Sequence, residues 1–313
     1  MTRRVRVRAL AKINLDLRVL GRRSDGYHEL RTIFQTISLG DRLEIAFKPG
    51  RRTEISLADD TIPDNLVLRA ARAAMEAMGA KGRVEMRLEK RIPMGAGLGG
   101  GSSDAAAVLL ALPVLAGREI AIPELCRIGR ELGSDVPFFL MGGAAVGIGR
   151  GTELFPLPDP VAEAGVLICP QIHVSTAEAY QLLKSSLTTE LQENKMFAFQ
   201  SQLFGWGNRR QGSNDFEAAV FRQHRRLGGL KKRLFEAGAM FAMMTGSGSA
   251  IFGLFKKAAD ASLAAGSLEE PGLAGRVFRF QLVSRARYRS LWWRALREHT
   301  GAKVWPPQSR YLR

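Results

Sequence analysis

Cysteine is nearly missing from this chain. Only Cys126 and Cys169 occur among 313 residues, and their neighbours offer no metal-ligand spacing. That argues against a disulfide framework and suits a reducing cytosol. Long apolar runs are missing too. The longest, near Ala105 to Ala116 and Phe138 to Gly149, are short and contain Pro113 or several glycines, so membrane insertion is not expected. The N-terminus is basic, with Arg3, Arg4, Arg6 and Arg8, but Lys12, Asn14 and Asp16 interrupt what would be the apolar core of an export signal. A cytoplasmic location is expected. Acidic residues are in short supply as well: 30 Asp and Glu against 46 Lys and Arg give a formal charge of +16. A nucleic-acid binder is one reading of that surplus. An enzyme acting on polyanionic small molecules gains electrostatic steering from the same charge. With 46% hydrophobic residues, the chain has ample material for one large domain or two.

Glycine, by contrast, is concentrated. The stretch from Pro93 to Ala105 places Gly95, Gly97, Gly99, Gly100 and Gly101 within seven positions. Before it, Val84, Met86 and Leu88 alternate with Glu85, Arg87 and Glu89, as in a half-buried strand. After it, Ala105 to Leu112 are strong helix formers, with Ser102, Ser103 and Asp104 suited to the helix start. Five glycines exceed the needs of a tight turn. They let the backbone approach a ligand so that successive N–H groups converge on anionic oxygens, and the unit reads as a phosphate cradle. It is not a standard P-loop, because Gly101 leads to Ser102 and not to Lys. Gly95, Gly97 and Gly100 fit a G-x-G-x-x-G spacing, but no acidic residue follows on a clear second strand, so the Rossmann reading is weak.

Elsewhere strands and helices alternate. Residues 5–20 and 32–47 read as strands, the second group broken at Gly40-Asp41, and helices are expected over Asn65 to Met78, Ile122 to Leu132 and Thr176 to Leu183. The proline cluster from Pro156 to Pro160 is the expected domain boundary. Beyond it, Gly165 to Cys169, Met240 to Met244 and Ala250 to Phe255 read as strands. The last two are joined by Thr245-Gly246-Ser247-Gly248-Ser249, either a hairpin turn or a second, hydroxyl-rich anion loop. Residues 186–213 are polar and lack clear periodicity. From Arg285 to Arg313, basic residues interleave with Tyr288, Trp292, Trp293 and Trp305. That segment reads as a solvated amphipathic helix appended to the fold, with an RNA-binding or anion-binding tail as the alternative. The whole pattern argues for an α+β architecture with mixed sheets.

Two charged residues stand out. Lys12 lies inside an apolar alternating segment, where a lysine calls for an anion. Asp135, just before Pro137, is either a turn or capping residue or, paired with Lys12, a carboxylate able to accept a hydroxyl proton in phosphoryl transfer.

In order along the chain, Ala11-Lys12-Ile13-Asn14-Leu15, Asp25-Gly26-Tyr27-His28-Glu29-Leu30, Pro93 to Asp104, Gly133-Ser134-Asp135-Val136-Pro137-Phe138-Phe139, Asn214-Asp215-Phe216-Glu217 and Thr245 to Ser249 resemble the GHMP kinase superfamily from about residue 5 to about 284. The resemblance implies an α+β two-domain fold. Its N-terminal β/α domain is of a kind found in a small-subunit ribosomal protein, and its C-terminal domain is a ferredoxin-like α/β sandwich. Residues 1–160 would form the ATP-binding and catalytic domain, 161–284 the C-terminal domain, and 285–313 a basic extension. The implied activity is that of an ATP-dependent small-molecule kinase, with Mg²⁺ on the ATP phosphates. The first two blocks point to the branch that phosphorylates the 2-hydroxyl of 4-diphosphocytidyl-2-C-methyl-D-erythritol, on the non-mevalonate route to isoprenoid precursors.

The same resemblance implies residue roles. Asp135 would be the base and Lys12 its cationic partner. Asn65, Pro93, Met94, Gly95, Ala96, Gly97, Leu98, Gly99, Gly100, Gly101, Ser102 and Ser103 would hold ATP. Asn14, Tyr27, His28, Thr176, Tyr180, Gly246 and Ser247 would form the acceptor site, with Tyr27 and Tyr180 stacking on cytosine and His28 bonding its edge. No protein metal ligand is implied. Asp16 departs from the apolar residue expected after Asn14-Leu15. The expected partner is the small-molecule substrate alone, without nucleic acid or membrane, in a monomer or weak homodimer.

Overall fold

The alternation near the N-terminus becomes two long antiparallel strands, β1 (Arg3–Arg22) and β2 (His28–Pro49). In the computed structural model, which describes residues 1–58, 60–159, 164–183, 196, 199–200, 203, 212–269 and 275–311, Val5, Val7 and Ala9 face the core while Arg4, Arg6 and Arg8 are exposed. That period-two separation is what a sheet with one buried face requires. β2 is not broken at Gly40-Asp41. It runs straight through, with Gly40 opposite Leu10, and a Cβ at residue 40 would lie 2.8 Å from the Ala9 carbonyl oxygen. The glycine therefore serves a close approach between strands and not a turn.

β3 (Glu54–Ala58), β4 (Gly82–Glu89), β5 (Ala144–Gly149) and β6 (Glu153–Pro156) complete the first sheet, in the order β3-β4-β2-β5-β6 with β1 paired to β2. Four helices accompany it: α1 (Leu66–Ala77), α2 (Gly100–Ala116), α3 (Ile122–Leu132) and α4 (Val136–Met141). α2 starts before the expected Ala105 because Gly99, at φ 69°, takes the left-handed cap position. It is buried from Ser103 to Leu115, so its polar N-terminal turn is driven into the fold by an apolar body.

The second sheet is fully antiparallel, in the order β10-β7-β9-β8. Its strands are β7 (Ala164–Pro170), β8 (Phe241–Met244), β9 (Ile251–Phe255) and β10 (Gly275–Gln281). α5 (Thr176–Leu183), α6 (Phe216–Gln223), α7 (Arg225–Glu236) and α8 (Ala258–Leu268) belong to the same half. One apolar cluster fills each half, and a third, containing Ile13, Ile33, Leu98, Phe241 and Phe252, joins them. The position expected for the boundary, 160/161, and most of residues 186–213 lie outside the described residues.

The C-terminal segment corrects an expectation. α9 (Arg285–Leu296) is not a solvated appendage: Tyr288, Trp292 and Leu296 are buried in the core of the N-terminal half, and Trp305 packs against it. Their four-residue spacing forms one apolar stripe on a helix whose other faces carry arginine. Among the described residues, no helix is long and apolar enough to cross a membrane.

Candidate active site

Between the halves lies a cleft of about 970 Å³. One wall is the glycine loop ahead of α2, in which Gly95, Gly97 and Gly99 all have positive φ. The facing wall is the loop between β8 and β9. The two loops touch: a Cβ on Gly97 would lie 2.2 Å from the Thr245 carbonyl oxygen, and one on Gly246 would lie 3.1 Å from the Gly97 Cα. The five-residue loop from Thr245 to Ser249 is thus a hairpin connection and a cleft wall at once.

Lys12 and Asp135 meet at the base of this cleft. Register shifts in the β1–β2 pairing at Leu10/Lys12 and Asn14/Asp16 flank Lys12, and the Lys12 N–H leaves the sheet to bond the Leu98 carbonyl at 3.1 Å. Its buried ammonium lies 3.5 Å from Asp135 Oδ2 and donates to Asn14 Oδ1 at 2.9 Å. Asp135 occupies the N-cap position of α4, yet its side chain makes no capping bond, which leaves the carboxylate to Lys12 and the cleft. Burial, reinforced by that nearby carboxylate, pushes the Tyr180 hydroxyl up to about 12.

Asn14 is a tie point between the halves. Its Oδ1 accepts from Lys12 Nζ and from the Gly246 N–H at 3.0 Å, its Nδ2 donates to Thr32 Oγ1 at 2.8 Å, and its backbone N–H donates to Thr245 Oγ1 at 3.1 Å. Thr176 Oγ1 and Ser247 Oγ, both lining the cleft, approach to 3.1 Å. Asn65 caps α1, accepting from the Val67 N–H at 3.0 Å and donating to Asp60 Oδ1 at 2.8 Å.

The structure brings almost every expected site residue to the cleft: Lys12, Asn14, Tyr27, His28, Asn65, Pro93 to Ser102, Asp135, Thr176, Tyr180, Gly246 and Ser247 all line it. Ser103 does not. Its hydroxyl donates to the Leu10 carbonyl at 2.7 Å and so pins α2 to β1. The aromatic arrangement also differs from a Tyr27–Tyr180 sandwich. His28 itself stacks on Tyr180, with ring centroids 4.1 Å apart and planes at 17°, and Tyr180 abuts Phe216 edge-on at 4.9 Å. Tyr27, 50% exposed, lies under the Arg150 guanidinium, 3.3 Å from its ring centroid. Tyr27 belongs to the turn before β2 and His28 opens the strand, so the neighbouring rings project differently.

Two charged cleft residues escape the sequence patterns: Lys90, which immediately follows β4, and Arg150, which follows β5. Among the described residues, no group of three or more His, Cys, Asp or Glu side chains gathers as a metal site.

Residues 65–143 match the GHMP kinases N terminal domain and residues 196–273 match the GHMP kinases C terminal domain. The chain is 62% identical over 315 residues to a protein of Solibacter usitatus named 4-diphosphocytidyl-2-C-methyl-D-erythritol kinase, covering 99% of this chain and 98% of that one. A protein of Pelotomaculum thermopropionicum with the same name is 42% identical over 258 residues, covering 79% and 87%. Among solved structures, the crystal structure of a 4-(cytidine 5'-diphospho)-2C-methyl-D-erythritol kinase superposes with a TM-score of 0.74 at 38% identity, covering 90% of this chain and 99% of that one.

Proposed function

Because this chain belongs to the 4-diphosphocytidyl-2-C-methyl-D-erythritol kinases of the GHMP kinase superfamily, we propose that it moves the γ-phosphoryl group of ATP to the 2-hydroxyl of 4-diphosphocytidyl-2-C-methyl-D-erythritol, with Asp135 as general base. The observation that carries the residue-level reading is the Lys12–Asp135 pair, 3.5 Å apart and facing the glycine cradle within one cleft. The carboxylate is the group able to accept a proton, and the ammonium places a cation beside it. Asp135 takes the proton of the acceptor hydroxyl as its oxygen bonds to the γ-phosphorus. The bond from that phosphorus to the bridging oxygen breaks, and ADP leaves with the electron pair.

The Lys12 ammonium offsets charge on the transferring group. Asn14, with its Oδ1 already shared between Lys12 and Gly246, holds the lysine in place and couples it to the second loop. The Gly95 to Gly101 backbone and the N-terminus of α2 supply donors for the ATP phosphates. His28, Tyr180 and Tyr27 offer flat faces and hydrogen-bonding edges suited to cytosine. Mg²⁺, which the superfamily implies, finds no ready cluster of protein ligands among the described residues and belongs with the ATP phosphates.

The test is ADP release by the purified protein with ATP, Mg²⁺ and each of 4-diphosphocytidyl-2-C-methyl-D-erythritol, mevalonate and homoserine. ADP is expected only with the cytidyl acceptor; silence there, or turnover of another acceptor, overturns the substrate assignment. Asp135→Asn is expected to lower kcat by about 10²-fold or more while ATP binding persists. Undiminished kcat in that variant removes Asp135 as base.

A further inference from the structure

Behind the glycine cradle, two buried carboxyl groups share one ammonium. Lys90 Nζ donates to Asp104 Oδ2 at 2.7 Å and also bonds Asp41. One cation cannot balance two buried carboxylates, so the pair favours holding a proton. The donors decide which residue carries it. Asp41 accepts from Lys90 and from the backbone N–H groups of Arg91, at 2.5 Å, and Ile92, at 2.8 Å, a set that holds an anion well. Among the described residues, Asp104 receives only Lys90, and its Oδ1 is buried without a hydrogen-bond partner. An ionised carboxylate abandoned in this way is costly, and a neutral acid is far less so.

Resting on the kinase reading of the cleft, we propose that Asp104 works as a neutral carboxylic acid beside the Asp41–Lys90 pair. It is thereby a positioning residue for the nucleotide, balancing Lys90 without placing an anion behind the phosphate cradle. With Asp41 negative, Lys90 positive and Asp104 neutral, the cluster has no net charge. It sits where charge matters: Asp104 is the fifth residue of α2, both Asp104 and Lys90 line the cleft, and a Cβ on Gly100 would lie 3.2 Å from Lys90 Nζ.

Burial drives the Asp104 carboxyl up to about 8 against the pull of Lys90, and Asp41 adds to the rise. Burial disfavours the Lys90 ammonium, yet Asp104 and Asp41 outweigh it and its pKa goes up. The other charged groups on elements packed against α2 look elsewhere. Arg69, Arg72 and Glu76 of α1 and Arg127, Arg130 and Glu131 of α3 are at or near the surface, α4 carries no charged residue, and Lys12 of β1 is committed to Asn14 and Asp135.

The sign follows. Below pH 8 the cluster is neutral; above it, Asp104 ionises and a net negative charge repels the ATP phosphates. Calorimetric Kd for ATP and steady-state KM and kcat, measured from about pH 6.5 to 9.5 on wild type and Asp104→Asn, test this. In the wild type, Kd and KM for ATP are expected to rise about threefold or more above pH 8, while kcat changes less. The Asn variant, isosteric with the protonated acid, is expected to lose the alkaline rise. An Asn variant that retains the rise overturns the proposal. Infrared spectra add a measure on the unaltered protein. A protonated-carboxyl C=O band present at pH 7 and lost above pH 8 supports a neutral Asp104, and its absence at pH 7 overturns it. Failure of wild type to bind ATP at any pH is a different result, since it overturns the kinase reading itself.

Discussion

A methyl group on residue 97 has nowhere to go. Gly97 sits at φ 75°, and its Cβ would fall 2.2 Å from the Thr245 carbonyl oxygen, a backbone atom that cannot rotate away. The Thr245 hydroxyl lies 3.3 Å from the Gly97 carbonyl oxygen, so the two loops are fitted at atomic contact. Gly97→Ala is expected to force them apart. The backbone strain costs about 1–3 kcal/mol, and ATP affinity falls because the cradle donors lose their aim. Thermal unfolding and ATP calorimetry check this, and wild-type values in both refute it. The contrast with Gly26 is instructive. It also has positive φ, at 85°, but a Cβ there would meet nothing within 4 Å, so its cost is one of backbone conformation alone.

At the scale of elements, the informative case is α9. Tyr288 bonds the Phe139 carbonyl, and its ring fills the space where a side chain on Gly142 would stand, 2.3 Å from a Cβ there. Both contacts fall on α4 and its C-terminal end, the helix whose N-cap is Asp135, so the C-terminal segment buttresses the element that presents the proposed base. Trp292→Ala is expected to cost about 3–5 kcal/mol of stability through the cavity it leaves. Truncation before Arg285 is expected to unfold or aggregate the protein, checked by circular dichroism. A truncated chain with wild-type melting would restore the view of an appendage. The stripe of Tyr288, Trp292 and Leu296 was legible as spacing, but the intervening arginines disguised it, because a helix with one narrow buried stripe carries mostly surface residues.

The same limit governs the site. The glycine loop, Lys12 and Asp135 were legible singly, since each breaks the pattern around it. Their 3.5 Å meeting was not, because it depends on how β1 and α4 converge across more than a hundred residues of chain. The His28–Tyr180 stack and the Asp41–Lys90–Asp104 cluster were invisible for the same reason.

On the scale of the whole molecule, the surplus of +16 meets a cleft that presents Lys12, Lys90 and Arg150 to two polyanions. Lys90 and Lys12 are already balanced by carboxylates, so the local cations hold the ligand while the wider surplus shapes the approach. Long-range attraction speeds encounter and is screened beyond about 8 Å at physiological ionic strength. It therefore acts on kcat/KM and not on the chemical step. Raising monovalent salt from about 20 to 300 mM is expected to lower kcat/KM for ATP and for the cytidyl acceptor several-fold while kcat stays constant. Stopped-flow and steady-state assays across that range measure both quantities. If kcat/KM is indifferent to salt, the positive surface serves something other than substrate capture. If RNA binds with steep salt dependence and competes with neither substrate, that something is a nucleic acid held outside the cleft.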